Sequence, residues 1–444
     1  MKKKITNWGN YPIQEADDRL FSFDTELKDT ISEFSQFIPR GNGRCYGDAS
    51  LSEKTITTTN FNKVLSFDKE QGLFECQSGI TLDQVLQIIV PAGWFLPVTP
   101  GTKFITLGGA IASDVHGKNH HVDGCFSRHI KEMDIYLADC SQITCSPTIN
   151  ADIFEATCGG MGLTGLVSRV LFSLKKIETS YITQKQIKAT NLDEVLELFQ
   201  QYSHFTYSVA WIDCLKKGTN FGRSILMLGE HATLQELSEK QMLNPLALPS
   251  QKQIKLPFYL PSFILNKFTV RIFNQLFYAK NFKKVIDNVV SYEPFFYPLD
   301  KVLDWNKGYS RKGFVQYQFV IPMHAKKGLV DILNKIGENG IGSFLAVLKV
   351  FGKQDSLIGF PMEGYTLALD IPIRDNLFTF LDELDALVVK NEGRLYMSKD
   401  ARMKATVLKE GYPRLDEFKQ ILKKYDPNSK FHSLLSDRLL LTSE

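Results

Sequence analysis

Two glycine-rich segments carry residue types suited to holding a phosphorylated, planar cofactor. The first spans residues 39–48 and reads PRGNGRCYGD. Its small residues expose backbone N–H groups that can bind pyrophosphate oxygens, and Arg40 and Arg44 can add positive charge. The second spans residues 100–121 and reads PGTKFITLGGAIASDVHGKNHH, so a flat isoalloxazine ring could lie against its bare backbone. Taken singly, glycine clusters of this kind are more often ordinary turns.

The second segment also contains His116, His120 and His121, which raise the question of a metal site. No cysteine or acid stands at a partnering zinc spacing, so we expect hydrogen-bonding roles and no metal. A third segment, CGGMGLTG at residues 158–165, holds a literal GxGxxG. A helix-like stretch precedes it and a strand-like stretch follows it, which is the reverse of a dinucleotide fingerprint. We therefore exclude a Rossmann NAD site.

The elements that must position these segments change character along the chain. Residues 37–175 alternate short strand-like runs with glycines and one helical stretch, LDQVLQIIV, which indicates an α+β domain. From about residue 180 the pattern shifts to the longer helix LDEVLELFQQY and the strands FVQYQFVIP and YTLALDIPI. This pattern predicts a second domain with a sheet that carries helices on one face. Near the end, RLDEFKQILKKY predicts an amphipathic helix that stops before Pro427.

Composition favours a soluble enzyme. The chain has 444 residues, 43% of them hydrophobic and 23% charged, and a net charge of +3. This length predicts two domains, and the small net charge gives no nucleic-acid footprint. Seven cysteines without a CxxC pair fit free thiols in a reducing cytoplasm. The basic N-terminus is not followed by the apolar core of a signal peptide. The sequence contains no run of 18 apolar residues, so we expect no transmembrane helix.

Residues 240–286, here called the basic aromatic insert, depart from this average. They contain eight Lys or Arg residues and no acid, interleaved with LPFYLPSFILNKFTVRIFNQLFYAKNF. Cationic and aromatic side chains together are typical of a segment that docks on an anionic membrane surface. A pair of core helices with solvated lysines accounts for the same pattern equally well.

The three glycine segments, in this order and spacing, resemble those of FAD enzymes of the vanillyl-alcohol-oxidase superfamily. Within it the chain resembles the bacterial decaprenylphosphoryl-ribose oxidase family over nearly its whole length. The similarity is carried by DVHGKNHH, AWID at 210–213, FVQYQFVIP at 314–322, LKVFG at 348–352 and YMSKDAR at 396–402. The resemblance implies a two-domain α+β fold of the PCMH-type FAD-binding class. Its FAD domain would comprise residues 1–179 and 394–444, and a substrate domain with a mainly antiparallel sheet and helices would comprise residues 180–393.

The resemblance also assigns residues to the cofactor. Those expected around FAD are Pro39, Arg40, Gly41, Asn42, Gly43, Arg44, Cys45, Tyr46, Gly47, Asp48, Ala49, Gly101, Thr106, Leu107, Gly108, Gly109, Ser113, Asp114, Val115, His116, Gly117, Val167 and Tyr396. Many superfamily members tether the flavin through a histidine of the pyrophosphate loop. Arg44 occupies that place here, so we expect FAD to be held without a covalent bond.

The chemistry implied is oxidation of the 2-hydroxyl of a polyprenyl-phosphate ribose to a ketone. A separate NAD(P)H-dependent short-chain reductase would then complete a conversion to arabinose. Oxidation of an alcohol also removes its hydroxyl proton, so a base or polarising cation is needed beside it. The matching candidates for catalysis are Lys399, Tyr46 and Lys118. The other interpretation of Lys399 is a surface lysine paired with Asp400.

Residues expected at the substrate are Trp211, Gln316, Gln318, Lys349, Thr366, Ala368 and Lys399. Ala368 stands where the mycobacterial-type enzyme has a cysteine, and Thr366 where the family has an asparagine. These two departures leave the sugar's finer identity open. Two other functions stay open: oxidation of a soluble sugar, alditol or aldonolactone by the same kind of flavoenzyme, and membrane-surface binding with FAD as a structural group. We expect a cytoplasmic protein, peripheral on the inner face of the cell membrane.

Overall fold

The computed structural model describes residues 2–249 and 252–442. Five residues of the predicted domain ranges or the basic aromatic insert lie outside the described residues: Met1, Ser250, Gln251, Ser443 and Glu444. In the described part of the chain, no helix has the length and apolar character needed to cross a bilayer.

The strands of the first 176 residues form small sheets. They are β1 (Lys3–Thr6), β2 (Ile13–Leu20), β3 (Ile38–Arg40), β4 (Lys54–Thr57), β5 (Val64–Asp68), β6 (Leu73–Gln77), β7 (Trp94–Phe95), β8 (Ile130–Tyr136), β9 (Gln142–Cys145), β10 (Leu166–Ser173) and β11 (Lys175–Lys176). The order is β1-β2-β4-β3 in a four-stranded sheet and β5-β6-β10-β8-β9 in a five-stranded sheet, and β7 pairs with β11.

The later strands are mostly longer. They are β12 (Tyr181–Ala189), β13 (Tyr207–Ile212), β14 (Ser224–His231), β15 (Ile254–Lys255), β16 (Val285–Ser291), β17 (Val302–Leu303), β18 (Phe314–Pro322), β19 (Ala346–Phe351), β20 (Gly364–Pro372) and β21 (Arg394–Leu395). Eight of them form one sheet in the order β16-β12-β14-β13-β19-β20-β18-β21, and β15 pairs with β17.

Helices lie between and on these sheets. They are α1 (Asp24–Glu33), α2 (Leu82–Ile89), α3 (Leu107–Ala112), α4 (His120–Asp123), α5 (Ala151–Thr157), α6 (Leu192–Gln201), α7 (Glu239–Met242), α8 (Lys267–Lys280), α9 (Tyr292–Phe296), α10 (Lys326–Asn339), α11 (Leu377–Lys390), α12 (Ala405–Gly411), α13 (Leu415–Tyr425) and α14 (Leu434–Arg438). The predicted α+β class is confirmed, as are the helices read from LDQVLQIIV, LDEVLELFQQY and RLDEFKQILKKY.

Local sequence explains where these elements begin and which face they bury. Helix α2 starts at a capping box, in which the Thr81 hydroxyl accepts from the Gln84 N–H and the Gln84 side chain accepts from the Thr81 N–H. The third glycine segment lies between α5 and β10, which confirms the reversed context that excludes a dinucleotide fingerprint. Its Gly159, Gly162 and Gly165 have φ values of +92°, +82° and +153°, which residues other than glycine rarely adopt.

All neighbouring strands of the eight-stranded sheet are antiparallel, in agreement with the mainly antiparallel sheet that was predicted. Helices α6, α10 and α11 pack on one face through a shared apolar core. The prediction of helices on one face only was wrong, because α8 and α9 pack on the other. Phe277 of α8 lies 4.8 Å from Trp211, and Phe296 of α9 lies 4.9 Å from Tyr207, between ring centroids.

That second face carries a group of polar side chains. Gln316 of β18 lies opposite Asp370 of β20, and Lys349 of β19 lies opposite Thr366 of β20. Opposite residues of an antiparallel pair share a face, and so do residues two apart on one strand. The register therefore brings polar groups from three strands to one side of the sheet.

The two ends of the described chain meet. The Arg438 guanidinium pairs with the Asp48 carboxylate at 2.8 Å, and Phe37 forms a β-bridge with Phe431. Strand β21 adds to the edge of the eight-stranded sheet and leads directly to Tyr396. These contacts are compatible with an FAD domain drawn from both ends of the sequence, whose boundaries stay a prediction.

Candidate functional site

Three segments far apart in sequence converge beside the polar face of the large sheet. A Cβ built on Gly41 would collide with the Thr106 hydroxyl, so the first two glycine segments touch. The Tyr46 N–H donates to the Ser398 carbonyl at 3.1 Å. The hydroxyls of Ser113 and Ser398 are 3.0 Å apart. The sequence-predicted cofactor loop, the second glycine segment and the YMSKDAR segment thus form one site.

The first glycine segment presents unused backbone donors. Within the part of the chain that the structure describes, the N–H groups of residues 41–45 have no recorded hydrogen-bond acceptor. Gly43 has φ +58°, so the loop turns through a conformation that other residues disfavour. A row of free N–H groups in a turn forms a concave anion-binding surface. This observation fits a pyrophosphate at the predicted place.

The two arginines of this loop have different surroundings. Arg40 donates to the Thr6 carbonyl at 2.8 Å and to the Ser50 carbonyl at 3.0 Å, so its guanidinium ties the loop to the N-terminal strands. The Arg44 guanidinium lies 3.9 Å above the Trp8 ring and 5.6 Å from the Phe104 ring. Burial lowers the pKa of both groups from the usual arginine value. Among the described residues the Arg44 guanidinium makes no hydrogen bond to protein, so its donors are available for an anion.

His116 lies where β18 and the second glycine segment meet. The Thr366 hydroxyl donates to the Phe319 carbonyl at 2.8 Å, and so its oxygen accepts from the Gln318 side-chain nitrogen at 3.3 Å. The same nitrogen lies 3.2 Å from His116 Nε2 and donates to it. His116 is therefore protonated at Nδ1, which has no partner within the described residues. Burial lowers the pKa of His116 well below its usual value, so the ring is a neutral donor.

The other two histidines of this segment are held by protein groups. His120 Nε2 lies 3.1 Å from the Gln354 side-chain oxygen, and His121 Nε2 lies 2.8 Å from the Phe205 carbonyl. Burial lowers the pKa of each, that of His120 to about 3. Both therefore orient the segment as neutral hydrogen-bonding groups, which is the role expected from the sequence.

Lys399 lies in the site beside Tyr46. Its Nζ is 3.9 Å from the centroid of the Tyr46 ring. Asp400, the pairing partner in the alternative interpretation, instead pairs with Arg438 at 2.8 Å. Burial lowers the pKa of Lys399 to about 8, while the nearby Asp370 raises it. An ammonium in apolar surroundings that is partly counterbalanced by one carboxylate is suited to polarising a hydroxyl.

Asp370 is a site residue that sequence reasoning missed. It is 1% exposed, its Oδ1 accepts from the Gln316 side-chain nitrogen, and its Oδ2 has no partner within the described residues. Burial raises its pKa to about 7, against the lowering effects of Gln316 and Lys399. In the sequence, its position is the one indication of this role. Asp370 stands two residues after Ala368 and four after Thr366 in YTLALDIP, and alternate residues of a strand face the same side.

Lys118 and Lys349 lie on two sides of the same site. Lys118 Nζ donates to the Phe296 carbonyl at 3.3 Å and lies 5.5 Å from the Phe295 ring centroid. Lys349 projects from the polar face of the sheet, where its Nζ is 5.7 Å from the Phe351 ring. Burial lowers the pKa of Lys118 to about 8 and, together with Lys118 and Lys399, that of Lys349 to about 7.

Several predicted site residues have their side chains committed to the fold. Asp48 pairs with Arg438, and Asp114 accepts from the N–H and hydroxyl of Ser127 at 3.0 Å. Trp211 donates its indole N–H to the Phe344 carbonyl at 3.3 Å and is 5% exposed beneath α8. Other predicted cofactor residues are buried apolar side chains of the core: Ala49, Leu107, Val115 and Val167. Such residues can shape a pocket but have no free polar group for recognition.

The chain is similar in sequence to several known proteins. A sequence family described as an FAD binding domain matches residues 26–146. The chain is 35% identical over 412 residues to the decaprenylphosphoryl-β-D-ribose oxidase of Mycolicibacterium smegmatis, which covers 91% of this chain and 89% of the relative. It is 27% identical over 150 residues to human Delta(24)-sterol reductase, or 33% of this chain and 29% of that protein. These matches identify a flavoprotein that uses FAD.

The residues present fit that cofactor. The loop of residues 41–45 has free N–H groups for phosphate oxygens, and His116 Nδ1 is a buried donor without a protein partner. A Cβ built on Gly101 would meet no atom within 4 Å, so open space remains beside the second glycine segment. FAD accepts the two electrons removed from an alcohol, and the protein supplies binding, orientation and proton transfer.

FAD is expected to remain non-covalent. Arg44, over the Trp8 ring, cannot form a histidyl link, and the Cys45 thiol has its pKa raised by burial, so it is a poor nucleophile. His116 Nε2 already accepts from Gln318. Acid precipitation checks this prediction. A colourless pellet below a yellow supernatant is expected, and yellow colour retained by the washed, denatured pellet would contradict it.

Proposed function

Because this chain belongs to the family of the decaprenylphosphoryl-β-D-ribose oxidases, we propose that it oxidises the 2-hydroxyl of a ribose linked to a polyprenyl phosphate. The product is the 2-keto sugar, and the reaction is the first half of a ribose-to-arabinose epimerisation. The chain is an FAD-dependent oxidoreductase of the vanillyl-alcohol-oxidase, PCMH-type fold. The observation that carries the proposal is a half-buried Lys399 over Tyr46 of the cofactor loop, together with a buried Asp370 on the polar face of the sheet.

The proposed roles follow from which atoms remain free. Lys399 polarises the hydroxyl and stabilises the negative charge that grows on its oxygen as the proton leaves. Asp370 Oδ2, which has no partner among the described residues, accepts that proton. Gln316 holds Oδ1 and so directs the other oxygen of the carboxylate. Tyr46 lies below the Lys399 ammonium and covers one side of the pair.

Asp370→Asn is expected to slow flavin reduction about 10² to 10⁴-fold, the usual range for loss of one acid–base group. The carboxylate is the active form, so the wild-type rate should rise with pH through about 7, the raised pKa of Asp370. In the variant this acidic limb should disappear. Stopped-flow reduction across the neutral range checks it, with the exposed Asp375→Asn as the matched control. An unchanged acidic limb in Asp370→Asn would remove the carboxylate from the proposed chemistry.

We further propose that the basic aromatic insert docks the protein on the inner face of the membrane. Among the described residues, 22 large apolar side chains are exposed, and 11 of these lie in this segment. On α8 the inner positions Val270 and Phe277 pack toward the sheet, whereas Phe268, Ile272 and Leu276 form an outer stripe. Phe268 is 70% exposed and Leu276 is 65% exposed. An apolar surface of this extent favours an interface with lipid over free solvation.

Charge supports the same interpretation. The insert has lysines or arginines around these apolar groups and no acid. Anionic head groups attract such a surface by about 1 kcal/mol per basic residue near the membrane. Its inner stripe reaches Trp211 on the sheet face that bears Gln316 and Lys349. A lipid-linked sugar could therefore enter the site while its chain remains at the membrane, which a soluble sugar would not require.

The proposed substrate also implies a second enzyme. A 2-keto sugar must be reduced from its other side to give the arabinose epimer, and we propose a separate NAD(P)H-dependent short-chain reductase for that step. The function is tested by anaerobic mixing of the oxidised protein with a polyprenyl-phosphate ribose, the matching arabinose compound, and soluble alditols and aldonolactones. Rapid bleaching of the flavin by the ribose lipid alone is expected. Faster bleaching by a soluble sugar would favour the soluble-substrate alternative.

A further inference from the structure

We propose that Lys118 and Lys349 form an anion subsite that binds the phosphate joining the sugar to its lipid. The inference rests on the proposed function, since it assigns part of that substrate to two named side chains. The subsite lies between the second glycine segment, which carries Lys118, and β19, which carries Lys349.

The first observation is an excess of positive charge on half-buried side chains. No carboxylate lies within ion-pair distance of Lys118, Lys349 or Lys399 in the described part of the chain, and Asp370 is the one acid that acts on any of them. Lys103 shows the usual arrangement, because it pairs with Asp83 at 2.9 Å. Burial of an unpaired charge is costly unless an opposite charge is supplied. Three neighbouring cations with one carboxylate therefore call for an anionic ligand.

The second observation is where the two lysines lie. The Lys118 carbonyl accepts from the Ser208 N–H at 2.9 Å, which fixes this residue beside the start of β13. Strand β13 pairs with β19 through Ala210 and Leu348, so Lys349 lies on the neighbouring strand at the same level. The charge of Lys118 also lowers the pKa of Lys349, in keeping with this placement.

The third observation is the character of the surroundings. Phe295 and Phe296 lie beside Lys118, and Phe351 lies beside Lys349. Protein surrounds both lysines, yet each keeps part of its side chain accessible. Such half-buried side chains remain within reach of a ligand. In such apolar surroundings a charge-assisted hydrogen bond to phosphate is stronger than at the open surface.

Connectivity of the substrate requires an anion subsite at this place. In a pentose linked through its C1 to phosphate, only C1 and one bridging oxygen separate the reacting C2 from phosphorus. The phosphate must therefore lie a few ångströms from the hydroxyl that Lys399 polarises. The Tyr396 N–H donates to the Gln318 carbonyl at 3.0 Å, so the segment that carries Lys399 adjoins β18, which pairs with β20 beside Lys349. A subsite at Lys118 and Lys349 satisfies both requirements.

The test measures ligand binding by the FAD-loaded protein and needs no turnover. Farnesyl phosphate, farnesol and inorganic phosphate are titrated by calorimetry into the wild type, Lys118→Met and Lys349→Met. Methionine keeps a long unbranched side chain and removes the charge. Each variant is expected to bind farnesyl phosphate about 10- to 100-fold more weakly, in line with the loss of a hydrogen bond to a charged group. Farnesol should bind equally to all three proteins, and Lys353→Met, whose side chain is exposed on the same segment, should match the wild type.

Three results would overturn the inference. They are wild-type affinity for farnesyl phosphate in both variants, inorganic phosphate binding as tightly as farnesyl phosphate, and loss of FAD from the variants with unchanged ligand affinity in the molecules that retain it. The last result would assign the lysines to the cofactor. If lysine-dependent binding is found but no lipid-linked ribose bleaches the flavin, the subsite stands and the proposed sugar is wrong.

Discussion

Lys399→Ala is expected to retain FAD and yet reduce its flavin about 10² to 10⁴-fold more slowly than the wild type, the range for loss of one well-placed catalytic group. Its ammonium lies over the Tyr46 ring and is stabilised by Asp370, whereas the pyrophosphate is expected at the backbone N–H groups of residues 41–45. Removal of the charge should therefore affect the reacting hydroxyl more than the pyrophosphate. Anaerobic stopped-flow absorbance measures the rate, and the visible spectrum measures retained FAD.

The pH profile separates a catalytic role from a structural one. The cation is the active form of Lys399, so the wild-type rate should fall as pH rises through about 8, the lowered pKa of this lysine. With the rise assigned to Asp370 at about 7, the profile is bell-shaped, and its two limbs belong to the coupled pair. Lys399→Ala should lack the alkaline fall. Lys409→Ala, on the exposed side of α12, is the control and should keep both rate and profile. A wild-type rate in Lys399→Ala would show that the lysine has no part in the chemistry.

Replacement of Phe263, Phe268 and Phe282 by serine is expected to abolish binding to anionic vesicles while leaving a folded, yellow protein. These side chains are 75%, 70% and 82% exposed. Burial of each phenylalanine contributes about 1.5 to 3 kcal/mol, so loss of three should weaken association about 10³-fold or more. Co-sedimentation with vesicles measures the effect. Binding by the wild type should also weaken with salt, because the screening length falls to about 8 Å at physiological ionic strength.

Substitution is preferable to deletion of the segment from about Leu256 to Phe282. The Asn274 side chain donates to Asp213 at 2.7 Å, and Asp213 forms a buried pair with Arg223. A deletion would uncover that pair and unfold the protein for reasons unrelated to lipid. The matched control replaces Ile13 and Phe23, which are 59% and 60% exposed elsewhere on the molecule. Vesicle binding that survives the triple substitution and is lost in this control would move the docking surface away from the insert.

The sequence predicted the parts of the site that depend on local composition. The glycine segments could be identified because their residue types and order are read along the chain, and Lys399 because the YMSKDAR string resembles that of the family. Asp370 could not, because its importance depends on the register that sets β20 against Gln316 of β18. The same holds for the Nδ1 proton of His116, which follows from hydrogen bonds among Gln318, Thr366 and Phe319. Side chains brought together only by strand pairing leave no local pattern.

The position of α8 was missed for a related reason. Both the membrane and the core interpretations of the insert counted its residues without their direction. Helical geometry divides them, since positions three and four apart share one side. Phe273 and Phe277 turn toward Phe344 and Trp211, whereas Phe268, Ile272 and Leu276 turn outward. The core interpretation therefore holds for one side of the helix, and membrane docking of the exposed side stays a prediction.

The contact between Asp48 and Arg438 also sets the order of events during synthesis. The two residues are 390 positions apart. The Tyr46 N–H likewise has its acceptor, the Ser398 carbonyl, only after that later residue has been synthesised. A ribosome that adds about 5 to 20 residues per second needs roughly 20 to 80 s to make the intervening chain. During that interval the pyrophosphate loop lacks its C-terminal support. FAD binding should thus begin only when the C-terminal helices have left the ribosome. A chain whose synthesis stops before Lys399 should be released without bound FAD and therefore without yellow colour.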